Sequence, residues 1–382
     1  MLAPETPLDL AAALAEAAAR SRTISLAGNS SKCLMAGPIE PAGVKLSTAA
    51  LNRVLEYEPR DLTISVEAGM AWRELTRLLA ANHQMVPLDP PFSDTATVGG
   101  VVASNSSGPR RRLYGTARDL VIGMQFATLE GKLVRSGGMV VKNVAGLDIA
   151  KLLIGSFGTL AAIAVVNFKL IPAPEQERSF LLSFDSLRSA IAARDSILAG
   201  VLQPAAVDLL NPAAAASVGN PRWMLAIRSG GNPAVIERYE RELAALGEGM
   251  AFEDERHELL WKHIESFTPR HLARHSDGAV VRLSCTLKGV EEGIESFAAP
   301  AIARAGSGVC YGYFDECGPA VAWMSAAAAR AWKAVIEFAP ASRKRALELW
   351  PNPGADLEIM RRVKHLFDPS RLLNRGRLYR HL

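Results

Sequence analysis

Residues 94–120 read DTATVGGVVASNSSGPRRRLYGTARDL and open the stretch whose reading decides the fold, 94–160. Eleven of the chain's 30 glycines fall in that stretch, roughly a sixth of the length. Glycine at such density inside a globular chain points to backbone lying close against something, because only a missing Cβ permits that approach. The glycines alternate with VVAS, VIGMQFATL and AAIAVVNFKL, which read as strands. Turns set among buried strands predict a large cofactor lying along them.

Working outward, 382 residues suffice for two domains and a sizeable core. The hydrophobic fraction of 49% and charged fraction of 21% are those of ordinary globular proteins. With 43 basic and 39 acidic side chains spread along the chain, the net charge of +4 does not mark a nucleic-acid binder. The four cysteines (Cys33, Cys285, Cys310 and Cys317) stand at no zinc or iron–sulfur spacing and read as buried or partly buried thiols. No stretch reaches the apolar length of about 20 residues that a membrane helix needs. The alanine-rich opening lacks the basic flank of a secretory signal, so a cytoplasmic protein is expected.

Along the chain, residues 8–20 read as a helix, TISLA as a strand, and GNSSK (Gly28, Asn29, Ser30, Ser31, Lys32) as a polar turn. VKLS follows as a strand, then a helix near 48–56, the strand DLTISVEAG and the helix AWRELTRLLAANH. From Thr95 to Leu170 strands and tight turns dominate, apart from a short helix near 150–154, which favours α+β over a doubly wound sheet. The proline-rich Ile171–Glu175 segment marks a domain boundary. Beyond it the order is strand FLLSF, helix 187–199, strands AAVDLL and RWMLAIR, and helix 234–246, the beginning of a ferredoxin-like layer. A helix around 253–267 comes next, then a second β-α-β set at AVVRLSC, 290–305 and GVCYGYF, and a last strand near WKAVIEFAP. The terminal helix stops at Asp368-Pro369.

Three motifs carry chemistry. GNSSK follows a strand and is either a plain turn or a run of free amides that cradles a pyrophosphate, with Lys32 adding charge. It matches neither the P-loop nor GxGxxG. In TATVGGVVASNSSG, Thr97, Gly99 and Gly100 permit close approach, and Ala103 and Gly108 keep bulk away. Asn105 offers a donor and an acceptor to a heterocycle's edge. The third motif, VVKNVAGLDIAKLLIGSFGTLAAI, brings Gly155, Gly158 and Thr159 ahead of a strand. Arg110, Arg111 and Arg112 form a dense basic run, read as a solvated loop or as a surface for an acidic partner or anionic substrate. His271 and His275 stand at i,i+4, a spacing that permits metal binding; the flanking Arg270 and Arg274 favour a solvated basic helix or loop instead.

In this order and spacing, the three motifs resemble the flavin-binding domain of the vanillyl-alcohol oxidase and p-cresol methylhydroxylase (PCMH) type. With AGM-WREL, LDPP and the terminal FDPSRLLNRGRL, the resemblance is to the FAD-binding E subunits of bacterial glycolate oxidases, over nearly the whole chain. It implies an α+β fold: a two-subdomain PCMH-type FAD domain over 1–172, a ferredoxin-like α+β cap over 175–340, and a helical segment, 341–382, returning to the FAD domain. It also implies FAD with Gly28–Lys32 on the pyrophosphate. Thr97, Gly99, Gly100, Ala103, Asn105 and Gly108 would lie along the flavin, with Gly158 and Ile163 near the adenine. No histidine stands in the first turn, so the FAD is expected to be non-covalent.

The expected partners are a second flavoprotein subunit and an iron–sulfur subunit of one oxidase complex, through which the chain could sit peripherally at the inner membrane, and the expected substrate is a small 2-hydroxy acid. The chain departs from the pattern at Leu147, where tyrosine is usual, at Ala161-Ala162 for Gly-Val, and at NRGR for NPGR. It also lacks the histidine-rich HxGDGNxH-type cap segment of related hydroxy-acid dehydrogenases, so no general base is named and no metal is expected. Two rival readings are a non-catalytic assembly subunit that keeps the fold, and a stand-alone FAD-dependent D-2-hydroxy acid oxidase.

Overall fold

The computed structural model describes residues 1–139 and 148–382, so the first half of the third motif and Leu147 lie outside the described residues. The chain divides into two compact units. One comprises Met1–Ser107, Gly115–Ala173 and Pro353–Leu382; the other comprises Gly108–Tyr114 and Pro174–Asn352.

The first unit opens with helix α1 (Pro7–Ala19), begun by a Thr6/Asp9 capping box, and the parallel strands β1 (Ile24–Ala27) and β2 (Val44–Ser47). Then come β3 (Val54–Glu58), β4 (Thr63–Glu67), α2 (Trp72–Ala80), the short β5 (Gln84–Met85) and α3 (Val98–Ala103). After α4 (Arg111–Tyr114), which lies in the other unit, the chain forms α5 (Ala117–Leu120), β6 (Val121–Ala127) and β7 (Leu133–Gly137). It continues through α6 (Ala150–Leu153), β8 (Ala162–Lys169) and β9 (Ile171–Pro172). Strands β3-β4-β8-β6-β7 make one antiparallel sheet. Its central strand β8 is buried on both faces. Ile163, Val166 and Phe168 join the core with α2, α3, α5 and α6, while Ala162, Ala164 and Val165 pack with Leu10 and Leu14 of α1 and with β1 and β2. That double burial explains why AAIAVVNFKL is apolar throughout instead of alternating.

Two segments of this unit differ from the sequence expectation. VVAS is helical in α3, not a strand: the Thr97 hydroxyl caps the helix by accepting from the Gly100 amide, and the Val98 and Gly99 amides donate to Met70 and Ala68 carbonyls. Tertiary anchoring here overrides the β-branched run. The helix expected near 48–56 is instead a turn followed by β3. The Arg53 side chain and amide bond to the buried Glu67 carboxylate, and pairing with β4 outweighs the helix propensity of the alanines.

The second unit runs β10 (Gln176–Phe184), α7 (Leu187–Ala199), β11 (Ala206–Leu210), α8 (Pro212–Ala215), β12 (Trp223–Gly231), α9 (Pro233–Ala244) and β13 (Glu248–Phe252). Helices α10 (Asp254–Glu265) and α11 (Phe267–Arg274) follow. The remainder is β14 (Ala279–Ser284), α12 (Val290–Glu295), β15 (Ala301–Arg304), β16 (Val309–Phe314), α13 (Cys317–Ala329) and β17 (Lys333–Phe338). Within the order β13-β10-β12-β11-β15-β16-β14-β17, each half is a ferredoxin-like β-α-β-β-α-β repeat, and the halves join edge to edge through β11 and β15. The expected helix over 290–305 ends at Glu295, and its second half is β15, held between β11 and β16. The chain then returns to the first unit as α14 (Asp356–Phe367).

Candidate functional site

In the first unit, β1 leads into the GNSSK turn, the capped start of α3 lies beside it, and the 155–158 turn and β8 close the far side. Together with Asn374 and Arg377 they enclose a cavity of about 390 Å³, a small-molecule size. The close fit of the first turn on α3 requires glycine at position 28, since a Cβ there would stand 2.3 Å from the Thr97 hydroxyl. Gly155 and Phe157 amides donate to Val102 and Ala103 carbonyls, which seats the second turn on the end of α3. Asn374 locks the remaining wall: its amide oxygen accepts from the Leu26 amide at 2.7 Å, and its nitrogen donates to the Leu26 and Phe157 carbonyls.

The electrostatics select an anion. Lys32 is 8% exposed, and its ammonium has no hydrogen-bond partner among the described residues. Burial lowers its pKa to about 8. Around it, the backbone amides of Asn29, Ser30, Ser31 and Lys32 find no acceptor among the described residues, and Ser30 adopts the left-handed conformation (φ 55°) that gathers successive amides into a concave nest. Arg377 braces this turn from behind, donating to the Met35, Gly37 and Lys32 carbonyls and stacking over Phe157; burial lowers its pKa to about 10. An orphaned buried ammonium, free amides and a small-residue wall fit the pyrophosphate and the flat rings of a dinucleotide.

Of the residues singled out in the sequence, Gly28, Asn29, Ser30, Ser31, Lys32, Thr97, Gly99, Gly100, Ala103, Gly158 and Ile163 line this cavity together. Asn105 and Gly108 do not: Asn105 is exposed, and Gly108 falls in the second unit. Ser104 of the second motif lines it too, and Leu26, Phe157, Asn374 and Arg377 also line it and escaped the motif reading, although the NRGR stretch already stood out in the sequence. The third motif's contribution from 140–147 lies outside the described residues.

In the second unit, one sheet face is polar and buried. It carries Glu177 and Ser179 of β10, Arg228 of β12, Asp208 of β11, Arg304 of β15, Arg282 of β14, Tyr311 and Tyr313 of β16, and Glu337 of β17. Arg304 pairs with Asp208, Arg282 with Glu337 at 2.9 Å, and Arg228 chelates Glu177 at 2.8 and 3.0 Å. Burial opposes ionisation of Glu177, but the His257 ring 3.7 Å away and the hydrogen bonds from Arg228 outweigh it and hold the carboxyl below its ordinary range. Burial instead raises the Glu337 pKa, against the opposing charge of Arg282.

The basic run is not a solvated loop. Arg112 donates to the Pro204 carbonyl and to Gln203, and Arg111 is desolvated beside Tyr311, Arg282 and Arg304. Nor is RHLARH a solvated segment: His271 of α11 is buried, donates from Nε2 to the Phe314 carbonyl, and stacks on His275 at 4.7 Å. Cys33 is exposed, contrary to the expectation for the thiols.

Comparison with known proteins adds the cofactor. Residues 1–137 match the FAD binding domain family, and residues 343–378 match the C-terminal domain of FAD linked oxidases. The glycolate oxidase subunit GlcE of Escherichia coli is 35% identical over 153 residues, 40% of this chain and 43% of that protein. The subunit GlcD of Bacillus subtilis is 32% identical over 169 residues, 44% of this chain and 36% of that protein. The D-lactate dehydrogenase of Anaerostipes hadrus is 32% identical over 168 residues, 44% of this chain and 35% of that protein. The chain thus spans less than half the length of these curated relatives.

Among solved structures, p-cresol methylhydroxylase superposes over 99% of this chain and 88% of its own with a TM-score of 0.77 at 12% identity. The 4-ethylphenol oxidase of Gulosibacter chungangensis gives 0.73 at 16% identity, over 99% of this chain and 88% of its own. The fold is that of the PCMH-type flavoproteins, and the match of residues 1–137 to the FAD binding domain family makes FAD its cofactor.

Proposed function

We propose that this chain is the FAD-holding, E-type subunit of a multi-subunit oxidase or dehydrogenase of glycolate or a similar small 2-hydroxy acid. The observation that carries the reading is the buried, unpartnered Lys32 in a nest of free amides, combined with identity to two glycolate oxidase subunits. In this reading Gly28–Lys32 bind the pyrophosphate, Thr97, Gly99, Gly100 and Ala103 border the flavin, and Gly158 and Ile163 border the adenine. Residues 1–172 and 341–382 form the FAD-binding part, and 175–340 the cap. In this reading the attachment is non-covalent.

FAD, when bound, accepts the hydride equivalent from the α-carbon of the hydroxy acid. The chain's own residues bind, orient and neutralise: Lys32 and the amide nest hold the diphosphate charge, and Asn374 and Arg377 keep that nest in place. A second flavoprotein subunit and an iron–sulfur subunit complete the electron path, following the resemblance to glycolate oxidase. The second unit's four histidines are engaged internally: His257 with Ser179, His263 with Ser217, His271 with Phe314, and His275 with Asp315. That pattern favours cofactor holding or electron relay over proton abstraction by this chain. One observation favours a second reading, in which the chain itself oxidises a hydroxy acid: Arg111 stands near Arg282 and Arg304, a set of guanidinium groups suited to a carboxylate.

The test is the visible spectrum of the purified chain before and after heat denaturation, followed by turnover of glycolate and D-lactate with an artificial acceptor. Released flavin without turnover supports the holding or relay role. Turnover by the isolated chain supports the second reading. A colourless protein that takes up no added FAD defeats both.

A further inference from the structure

The C-terminal part of the first unit holds a second hollow, of about 490 Å³, that the FAD reading does not use. It is walled by Arg361 and His365 of α14 and by Arg371, Arg375, Arg380 and His381 from the segment after it. The one acidic side chain in its wall, Asp368, is already committed. Buried at the floor, Asp368 pairs with Lys364 at 2.6 Å and accepts from the Leu372 and Leu373 amides at 2.8 Å. Lys364 is satisfied in turn by the Thr159 and Leu373 carbonyls.

The floor is therefore a balanced, hydrogen-bonded ion pair, whereas the exposed Arg361, Arg371 and Arg375 line the hollow and make no ion pair to a carboxylate among the described residues. Three such forks around a small concavity form a field that recognises several negative oxygens at once. Arg375 is also the departure from NPGR noted in the sequence, so this chain places a cation where that pattern has proline.

We propose that this hollow is a binding site for a small polyanion carrying two or more phosphate or carboxylate groups, separate from the dinucleotide cavity. The two sites share one short piece of backbone. Arg375 and Gly376 line the basic hollow, whereas the flanking Asn374 and Arg377 line the FAD cavity and hold its walls. A polyanion that immobilises Arg375 reduces the freedom of both anchors, so it slows FAD release. The coupling rests on FAD occupying the first cavity, while the binding itself does not.

The experiment uses the FAD-saturated full chain, so that the dinucleotide cavity is filled, with inorganic pyrophosphate and citrate as probes at constant ionic strength held by potassium chloride. Calorimetry is expected to show saturable 1:1 binding, weakened at least about tenfold in Arg371→Gln and in Arg375→Gln. Flavin fluorescence after dilution is expected to show slower FAD release with the probe bound. Binding of pyrophosphate alone identifies a phosphate ligand, and binding of both probes a site for general polyanions. No saturable binding, or binding equal in both variants and wild type, overturns the site. Saturable binding with unchanged FAD release overturns the coupling. The visible spectrum of each sample shows independently whether FAD is present, so failure of the cofactor reading is not mistaken for failure of this one.

Discussion

Replacing Lys32 by methionine is expected to move protein stability and cofactor affinity in opposite directions. Methionine keeps most of the unbranched stem in its slot and removes the charge. In the FAD-free protein, burial lowers the ammonium pKa from 10.5 to about 8. That displacement corresponds to roughly 3 kcal/mol of folding free energy. The unfolded chain holds the proton more tightly than the folded one, so the destabilisation is fully present below pH 8 and is relieved as pH rises from 8 towards 10.5. At neutral pH the FAD-free variant is therefore expected to be more stable by about 1–3 kcal/mol in urea denaturation, with the gain vanishing at high pH.

Cofactor affinity moves the other way. A charge-assisted contact to the diphosphate contributes about 1.5–3 kcal/mol, so the variant is expected to bind FAD roughly 10- to 100-fold more weakly in a fluorescence titration. Wild-type affinity is expected to fall as pH rises above 8, and variant affinity to stay flat. A Lys32→Met protein that binds FAD with wild-type affinity and whose FAD-free form gains no stability would refute the assignment of Lys32 to the anion.

Three further expectations follow from the same geometry. Gly100→Val should fold yet lose flavin absorbance, because its new Cβ meets only the Thr97 hydroxyl at 3.1 Å and its methyls then project into space reserved for the cofactor; full occupancy would show the ring placement to be wrong. Asn374→Ala removes the bonds to Leu26 and Phe157, and should lower stability by about 1–3 kcal/mol in chemical denaturation while also weakening FAD retention. Arg304→Met strands the buried Asp208 carboxylate and should cost about 3–5 kcal/mol, read by denaturation, with less loss when combined with Asp208→Asn.

Much of the lining of the first unit's cavity was legible in the sequence. The GNSSK turn and the TATVGG segment are local signals: turn residues after a strand and glycines at close approaches report backbone chemistry within a few residues. The ferredoxin-like order was legible for the same reason, since strand and helix periodicities are short-range. The misreadings share the opposite cause. VVAS has a strand composition but is helical because Thr97, Ala68 and Met70 anchor its start, and residues 48–56 are helix-favouring but yield to pairing with β4 and the buried Glu67. Asn105 belongs to the right motif but turns outward at its end, with φ of 47°.

The sequence by itself pointed to a large cofactor along glycine-rich turns and to the α+β architecture, because both depend on residue types a few positions apart, while FAD itself entered through the family resemblance. Partnership was decided only by the folded chain. That Lys32 is a buried cation without a partner, that Asn374 fastens a strand 348 residues away, and that Arg110–Arg112 lie against the second unit instead of in water depend on which segments come together. Desolvation and hydrogen-bond satisfaction are set by tertiary neighbours, and no local pattern encodes them.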